Sequence, residues 1–282
     1  MSKIEIKNIT KTFGDIPALK NGTVTFEDNH IYGLLGRNGA GKTTLLNLIT
    51  GKIFPSEGEI LIDGERALEN DRALSKIYCM TELNLYPEKM KVKEALKWSS
   101  QFYSSFDMDY ANGLCEKFEL KKDRKIKNLS TGYRSIFKII IALSCGTEIV
   151  IFDEPVLGLD ANHRELFYKE LIQNFSDHPR IFIVSTHLIE EVASIIDRVV
   201  IIKNGEVIMD DEVQNVIGQG YSVSGSTGAV DDYINGKQVL GFDTLGGLKS
   251  AYLLGQQLVD VPVGLEVGKL DLQKLFIQLT NS

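Results

Sequence analysis

Apolar and polar residues alternate over residues 3–9 (Lys-Ile-Glu-Ile-Lys-Asn-Ile), which predicts a half-buried strand. Residues 22–26 predict a second strand, closed by the turn at 27–29. Short, largely apolar runs at 31–35, 77–80, 149–152 and 180–185 have the length of strands covered on both faces. Glu59 to Ile62 runs into Asp63-Gly64, a hairpin signal, and Asn204-Gly205 joins the runs 198–203 and 206–209. Helical spacing appears at 43–50, 94–102, 107–118, 136–143 and 162–175. Strands alternating with helices predict an α/β protein built on a parallel sheet.

Between the apolar run at 31–35 and the helix from Thr43 lies Gly36-Arg37-Asn38-Gly39-Ala40-Gly41-Lys42-Thr43-Thr44. It fits G-x-x-x-x-G-K-[ST], and strand–loop–helix is the context in which that pattern cradles phosphate. Glycines at 36, 39 and 41 let successive N–H groups face one concavity. The helix N-terminus adds partial positive charge at the same spot. Lys42 brings a full charge to the β and γ phosphates, and the Thr43 hydroxyl suits a hard cation such as Mg²⁺.

Further candidates fall at strand ends. Asp153 and Glu154 close the run 149–152, His187 follows 180–185, and Glu82 follows 77–80. In open α/β sheets ligands sit outside the carboxyl ends of strands. A paired acid fed by a buried strand has work to do if Asp153 faces Mg²⁺ and Glu154 an attacking water; a solvated Asp-Glu turn is the plainer alternative. Phe13 is either a base-stacking ring or a core aromatic. Leu129-Ser130-Thr131-Gly132-Tyr133 precedes a helix, so Ser130 is an ordinary N-cap or part of an anion site. The basic run 121–127 is a solvated face or a phosphate-facing one. Residues 84–128 read as a helical insertion, with Asp107 capping its second helix.

Of 282 residues, 43% are hydrophobic and 24% charged, enough for an ordinary core. The net charge of −7 disfavours nucleic acid as partner. No apolar leader opens the chain, and no run of about 18 apolar residues could span a bilayer. Cys79, Cys115 and Cys145 are scattered and odd in number, which fits buried thiols in a reducing compartment, hence a cytoplasmic protein. Residues 211–282 hold 11 of the 25 glycines and no arginine, which sets a boundary near 212–220. Strands near 221–224, 238–242, 249–254 and 263–267, and helices near 228–234 and 271–279, predict a small α+β unit without catalytic residues.

In this order the motifs resemble the ATP-binding subunit of ATP-binding-cassette (ABC) transporters, over residues 1 to about 215. Phe13 matches that family's base-stacking aromatic, residues 36–44 its phosphate loop, and Asp153 with Glu154 its Mg²⁺ aspartate and catalytic glutamate. Gly158-Leu159-Asp160 matches its dimer-facing loop and His187 its switch histidine. Two positions depart: the signature reads Leu-Ser-Thr-Gly-Tyr where Leu-Ser-Gly-Gly-Gln is common, and Glu82 stands where glutamine is expected. The resemblance implies a P-loop ATPase of ABC type, with a RecA-like core, an antiparallel β subdomain and an α-helical insertion at about 83–135. A C-terminal accessory α+β domain would occupy 216–282. It further implies MgATP hydrolysis, with Lys42, Glu154 and His187 catalytic and Thr43, Glu82 and Asp153 near the metal. Ser130, Gly132 and Asp160 would act across a homodimer or heterodimer. The partner would be an integral membrane permease at the inner face of the cell membrane. The departures and the appendage resemble Gram-positive exporters of peptides or antibiotics, of the phenol-soluble-modulin, bacitracin and Ytr types. Rival readings are a soluble ABC-type ATPase of translation or DNA repair, and a slow regulatory nucleotide-binding module.

Overall fold

The alternation at the start of the chain builds two long antiparallel strands, β1 (Lys3–Phe13) and β2 (Ile16–Glu27). Both exceed their predicted lengths because register shifts between Ile6 and Lys11 absorb the break in alternation, with Asn8 at φ 50° and Asn21 at φ 48°. The computed structural model describes residues 2–255 and 261–281. β3 (His30–Leu35) leads through the glycine loop into α1 (Lys42–Ile49). Next come β4 (Glu57–Ile62), β5 (Glu65–Arg66), a short helix α2 (Asp71–Leu74) and β6 (Ile77–Met80). The insertion holds α3 (Val92–Phe102) and α4 (Met108–Lys117), the latter capped by Asp107, whose carboxylate accepts from Tyr110 N at 2.8 Å. It returns through α5 (Thr131–Ser144) to β7 (Ile149–Asp153). Then follow α6 (Ala161–Asp177), β8 (Ile181–Thr186), α7 (Ile189–Val192) and the hairpin β9 (Arg198–Lys203) and β10 (Glu206–Glu212).

The central sheet has the order β10-β9-β3-β8-β7-β6, parallel throughout except for β10. Strands buried on both faces must be apolar at consecutive positions, which is why their sequences run without alternation. β3 sends Ile31 and Leu35 into the core under the helices, and Tyr32 and Leu34 into the core shared with α1 and the β2-β1-β4-β5 sheet. The parallel strands point the same way, so the glycine loop, Asp153 and Thr186 gather at one end of the sheet.

Beyond β10 come α8 (Val213–Gly218), β11 (Gly220–Ser226), α9 (Thr227–Ile234), β12 (Val239–Leu245), β13 (Leu248–Leu254), β14 (Leu265–Lys269) and α10 (Leu272–Asn281). An antiparallel sheet β12-β13-β11-β14 has its own small core around Val223, Val230 and Leu253. α10 leaves this unit. Its Leu272, Leu275 and Phe276 join the large core of the first 215 residues, beside Val192 of α7 and Val216 of α8. Among the described residues no helix is long and apolar enough to cross a membrane.

Candidate nucleotide site

The glycine loop takes a shape that other residues would block. Gly41 sits at φ 115°, and a Cβ there would lie 2.7 Å from Ala18 O. A Cβ on Gly36 would lie 2.8 Å from Ile202 O, at the end of β9. Gly41 offers α1 no side-chain cap, so the first-turn amides are left to an anion. Lys42 is only 7% exposed and folds back so that Nζ donates to Gly36 O at 2.6 Å. Burial lowers its pKa, against the pull of the Glu154 and Asp153 charges.

Asp153 is buried at the end of β7. It accepts from Ser185 Oγ at 3.0 Å and from Thr43 Oγ1 at 3.4 Å. Desolvation raises its pKa despite those bonds. Glu154 follows with φ 49°, a left-handed conformation that is rare for a glutamate and typical of strained functional positions. Its N–H donates to Ser185 O at 2.9 Å, and its carboxylate accepts from Thr186 Oγ1 at 3.3 Å. Both carboxylate oxygens lie 3.0 Å from His187 Nδ1. Direct bonds thus link Thr43 with Asp153 and Glu154 with His187, with Lys42 alongside. Ser185 and Thr186 escaped the sequence reading; the available signal was two hydroxyl residues ending an otherwise apolar strand.

Phe13 is 50% exposed at the end of β1, with Lys11 Nζ 5.0 Å from its ring centroid. The core-aromatic alternative is therefore set aside. The basic run 121–127 is a largely solvated face: Lys93 pairs with Asp123 at 2.7 Å and Lys122 Nζ reaches Asn112 at 2.7 Å. Glu82 is exposed, and among the described residues its carboxylate makes no hydrogen bond to Thr43 or Asp153. Instead Lys138 Nζ donates to the backbone carbonyls of Thr81 at 2.9 Å and Glu82 at 2.5 Å.

Ser130 caps α5, accepting from Tyr133 N at 3.3 Å, and is exposed. No hydrogen bond joins Ser130 or Gly132 to residues 36–44 among the described residues. Gly132 instead abuts the loop after Glu154: a Cβ there would lie 2.6 Å from Gly158 O. Ser135 Oγ donates to Leu157 O at 2.9 Å in the same seam. Asp160 caps α6, and the N–H and ring of His163 hold its carboxyl below the usual range.

The family model for ABC transporters matches residues 19–157. The ATP-binding protein YtrB of Bacillus subtilis (strain 168) is 29% identical over 196 residues, covering 70% of this chain and 67% of YtrB. NatA of the same strain is 30% identical over 217 residues, covering 73% of this chain and 87% of NatA. ATP-binding proteins named for ribose, arabinose and nucleoside import also match at 30% identity, but the chain covers only 42–47% of their length. A dimeric ATP-binding cassette solved in a post-hydrolysis state with ADP and Pi superposes with TM-score 0.65 and 25% identity, covering 74% of this chain and 98% of that one. The chain belongs to the ATP-binding proteins of ABC transporters. It is an ATP hydrolase of the P-loop ABC type.

Proposed function

We propose that the chain is the ATPase subunit of an ABC exporter, closing head to tail with a second cassette around two molecules of MgATP. The reading rests above all on Glu154, held in a strained backbone with both carboxylate oxygens 3.0 Å from His187, beside the phosphate loop. Phosphoryl transfer asks the protein for positioning and charge neutralisation. Residues 36–44 hold the phosphates, with Lys42 swinging from Gly36 O to the β and γ groups. Phe13 stacks on the base. Glu154 polarises the attacking water, and His187 contacts the γ-phosphate.

The residues present fit Mg²⁺. Asp153 is a desolvated carboxylate beside the Thr43 hydroxyl, hard oxygen donors that a divalent cation suits. Thr43 and Asp153 would hold the ion, with Glu82 as a further oxygen ligand once nucleotide is bound. When bound, Mg²⁺ supplies charge neutralisation at the phosphates.

Ser130, Gly132 and Asp160 act on the nucleotide of the opposite subunit, in keeping with the lack, among the described residues, of bonds from Ser130 and Gly132 to this chain's own loop. Residues 1–215 form the cassette, with the insertion at about 83–135, and 216–282 the accessory unit. Leu83, Leu85, Trp98 and Phe102 are exposed on the insertion, apolar side chains that a permease at the inner face of the cell membrane would cover. Export of peptides or antibiotics is the reading that the Leu129-Ser130-Thr131-Gly132-Tyr133 signature, Glu82 and the C-terminal unit support. The test is Glu154→Gln with ATP. Turnover should fall about 10²-fold or more while an ATP-dependent dimer accumulates in size-exclusion chromatography. A monomer that hydrolyses normally would falsify the two-site clamp.

A further inference from the structure

The insertion leaves the central sheet after β6 and returns to it through α5, and its entry and exit run side by side. Further out, backbone bonds join the two stretches: Lys127 N donates to Glu88 O and Ile126 N to Met90 O, both at 2.9 Å. Closer to the sheet the joint is made by side chains of α5. Arg134, Phe137 and Lys138 stand at i, i+3 and i+4, which share one helix face. Arg134 Nη1 lies 3.9 Å from Glu88 Oε1, and the Phe137 ring meets Tyr86 edge to face with centroids 5.3 Å apart. Lys138 makes the innermost link: Nζ donates to Thr81 O at 2.9 Å and to Glu82 O at 2.5 Å.

An ammonium has three donors, and two of these go to successive carbonyls at the mouth of the insertion. Lys138 is half-buried in a stretch whose neighbours Ile136, Phe137, Ile139 and Ile140 are core residues. Burial disfavours its charge, the Glu82 carboxylate favours it and Arg134 opposes it. Packing alone would be served by another apolar residue, so the gain from a lysine is its hold on residues 81 and 82. Ser130 caps the same helix about two turns earlier. Glu82 follows β6, whose Met80 lies opposite Phe152, next to Asp153.

We propose that Lys138 is a positioning residue for the ATPase. It pins Glu82 to the helix that begins at Ser130, so the entry and exit of the insertion move as one body. Glu82 is thereby placed toward this chain's own nucleotide whenever Ser130 is placed toward the partner's. The inference rests on the roles proposed above for Glu82 and Ser130.

The test is Lys138→Met, which keeps an apolar stem of similar length and removes the ammonium, made in the Glu154→Gln chain. ATP affinity of the dilute monomer should stay within about twofold, because residues 36–44 are untouched. The ATP-dependent dimer in size-exclusion chromatography should need about tenfold more protein, the worth of one hydrogen bond to a charged group. Without nucleotide, hydrogen exchange in peptides covering 81–92 should be about tenfold faster than with Lys138 present. Unchanged exchange and dimerisation overturn the proposal. So does a loss of ATP affinity equal to the loss of dimer, which marks a general loosening of the fold. If Glu154→Gln alone forms no ATP-dependent dimer, the two-subunit reading fails, whereas the exchange of 81–92 still decides the pin. Should Lys138→Met not fold, Glu154→Gln carries the test by itself. ATP should then slow exchange over 81–92 and 129–140 together, and protection confined to one of the two overturns the proposal.

Discussion

Both oxygens of the Glu154 carboxylate lie 3.0 Å from Nδ1 of His187, joining the ends of β7 and β8. An ionised carboxylate only accepts, so Nδ1 carries the proton and Nε2 stays outside this bond, as the proposed γ-phosphate contact requires. The pair therefore fixes the ring's tautomer as well as its orientation. His187→Ala should lower ATP turnover about 10²-fold while ATP affinity stays within a few-fold of wild type. Phosphate release and calorimetric titration measure the two separately. Unchanged turnover would remove His187 from the chemistry.

Asp153, beside Thr43, is a carboxylate that burial disfavours in its charged form. Asp153 has a pKa raised above its ordinary 3.8 by desolvation, so its charged form costs the native state stability at neutral pH. Asp153→Asn should raise the ligand-free unfolding free energy by about 1 kcal/mol at pH 7 and abolish ATP turnover. The sign with pH is set by the raised value. The native state binds the proton more tightly, so wild-type stability is lost as pH rises through the folded pKa. The variant's advantage should shrink as pH falls back toward 3.8. Urea melts at several pH values test this; an advantage that grows on acidification would contradict it.

Gly132 leaves no room for a side chain, since a Cβ would sit 2.6 Å from Gly158 O and 3.5 Å from its carbonyl carbon. The obstructing atoms are backbone, so relief must come from moving the start of α5 or the loop at 154–160. Gly132→Ala should cost about 1–3 kcal/mol of stability and lower turnover, because the same loop carries Glu154 at one end and Asp160 at the other. Thr131→Ala touches the same seam without adding volume and should keep both properties closer to wild type. Thermal melts and ATPase assays on the two variants distinguish the steric effect from a general sensitivity of α5.

Much of the nucleotide end was legible because its chemistry is local. The phosphate loop announces itself within nine residues, and Asp153, Glu154 and His187 each follow a short, largely apolar run of strand length. What the sequence left open depends on pairing at long range. The strand at 3–9 reaches Phe13 because β2 and β4 continue to pair with it across bulges that alternation cannot foresee. Ser185 and Thr186 matter only because β7 lies beside β8 in register, Asp153 opposite Ser185. Glu82 follows a strand and stands where the family resemblance expects glutamine, which places it near the metal as an expectation. It lies on the surface, where Lys138 Nζ donates to its backbone carbonyl and the Glu82 charge acts on the same ammonium. The stripe at Leu272, Leu275 and Phe276 predicts an amphipathic helix, but spacing alone cannot say which surface it covers.

That surface makes the accessory unit part of the cassette's stability. α10 sits against α7, which begins two residues after His187, and its last residues reach the nucleotide end: Asn281 Oδ1 accepts from Arg37 Nη1 at 3.4 Å, and Leu279 O from Lys203 Nζ at 3.0 Å. Leu275 is fully buried in the large core, not in the small core of its own sheet. Leu275→Ala should therefore cost about 2–5 kcal/mol, the range for truncating a buried leucine. The loss should appear in the whole chain's denaturant transition, with fluorescence of Trp98, in the helical insertion, moving together with far-UV dichroism. If the accessory unit were an independent appendage, Leu275→Ala would melt residues beyond 215 first and leave the Trp98 transition in place. A single displaced transition for both probes is the expected result, since Leu275 and Val192 share one core.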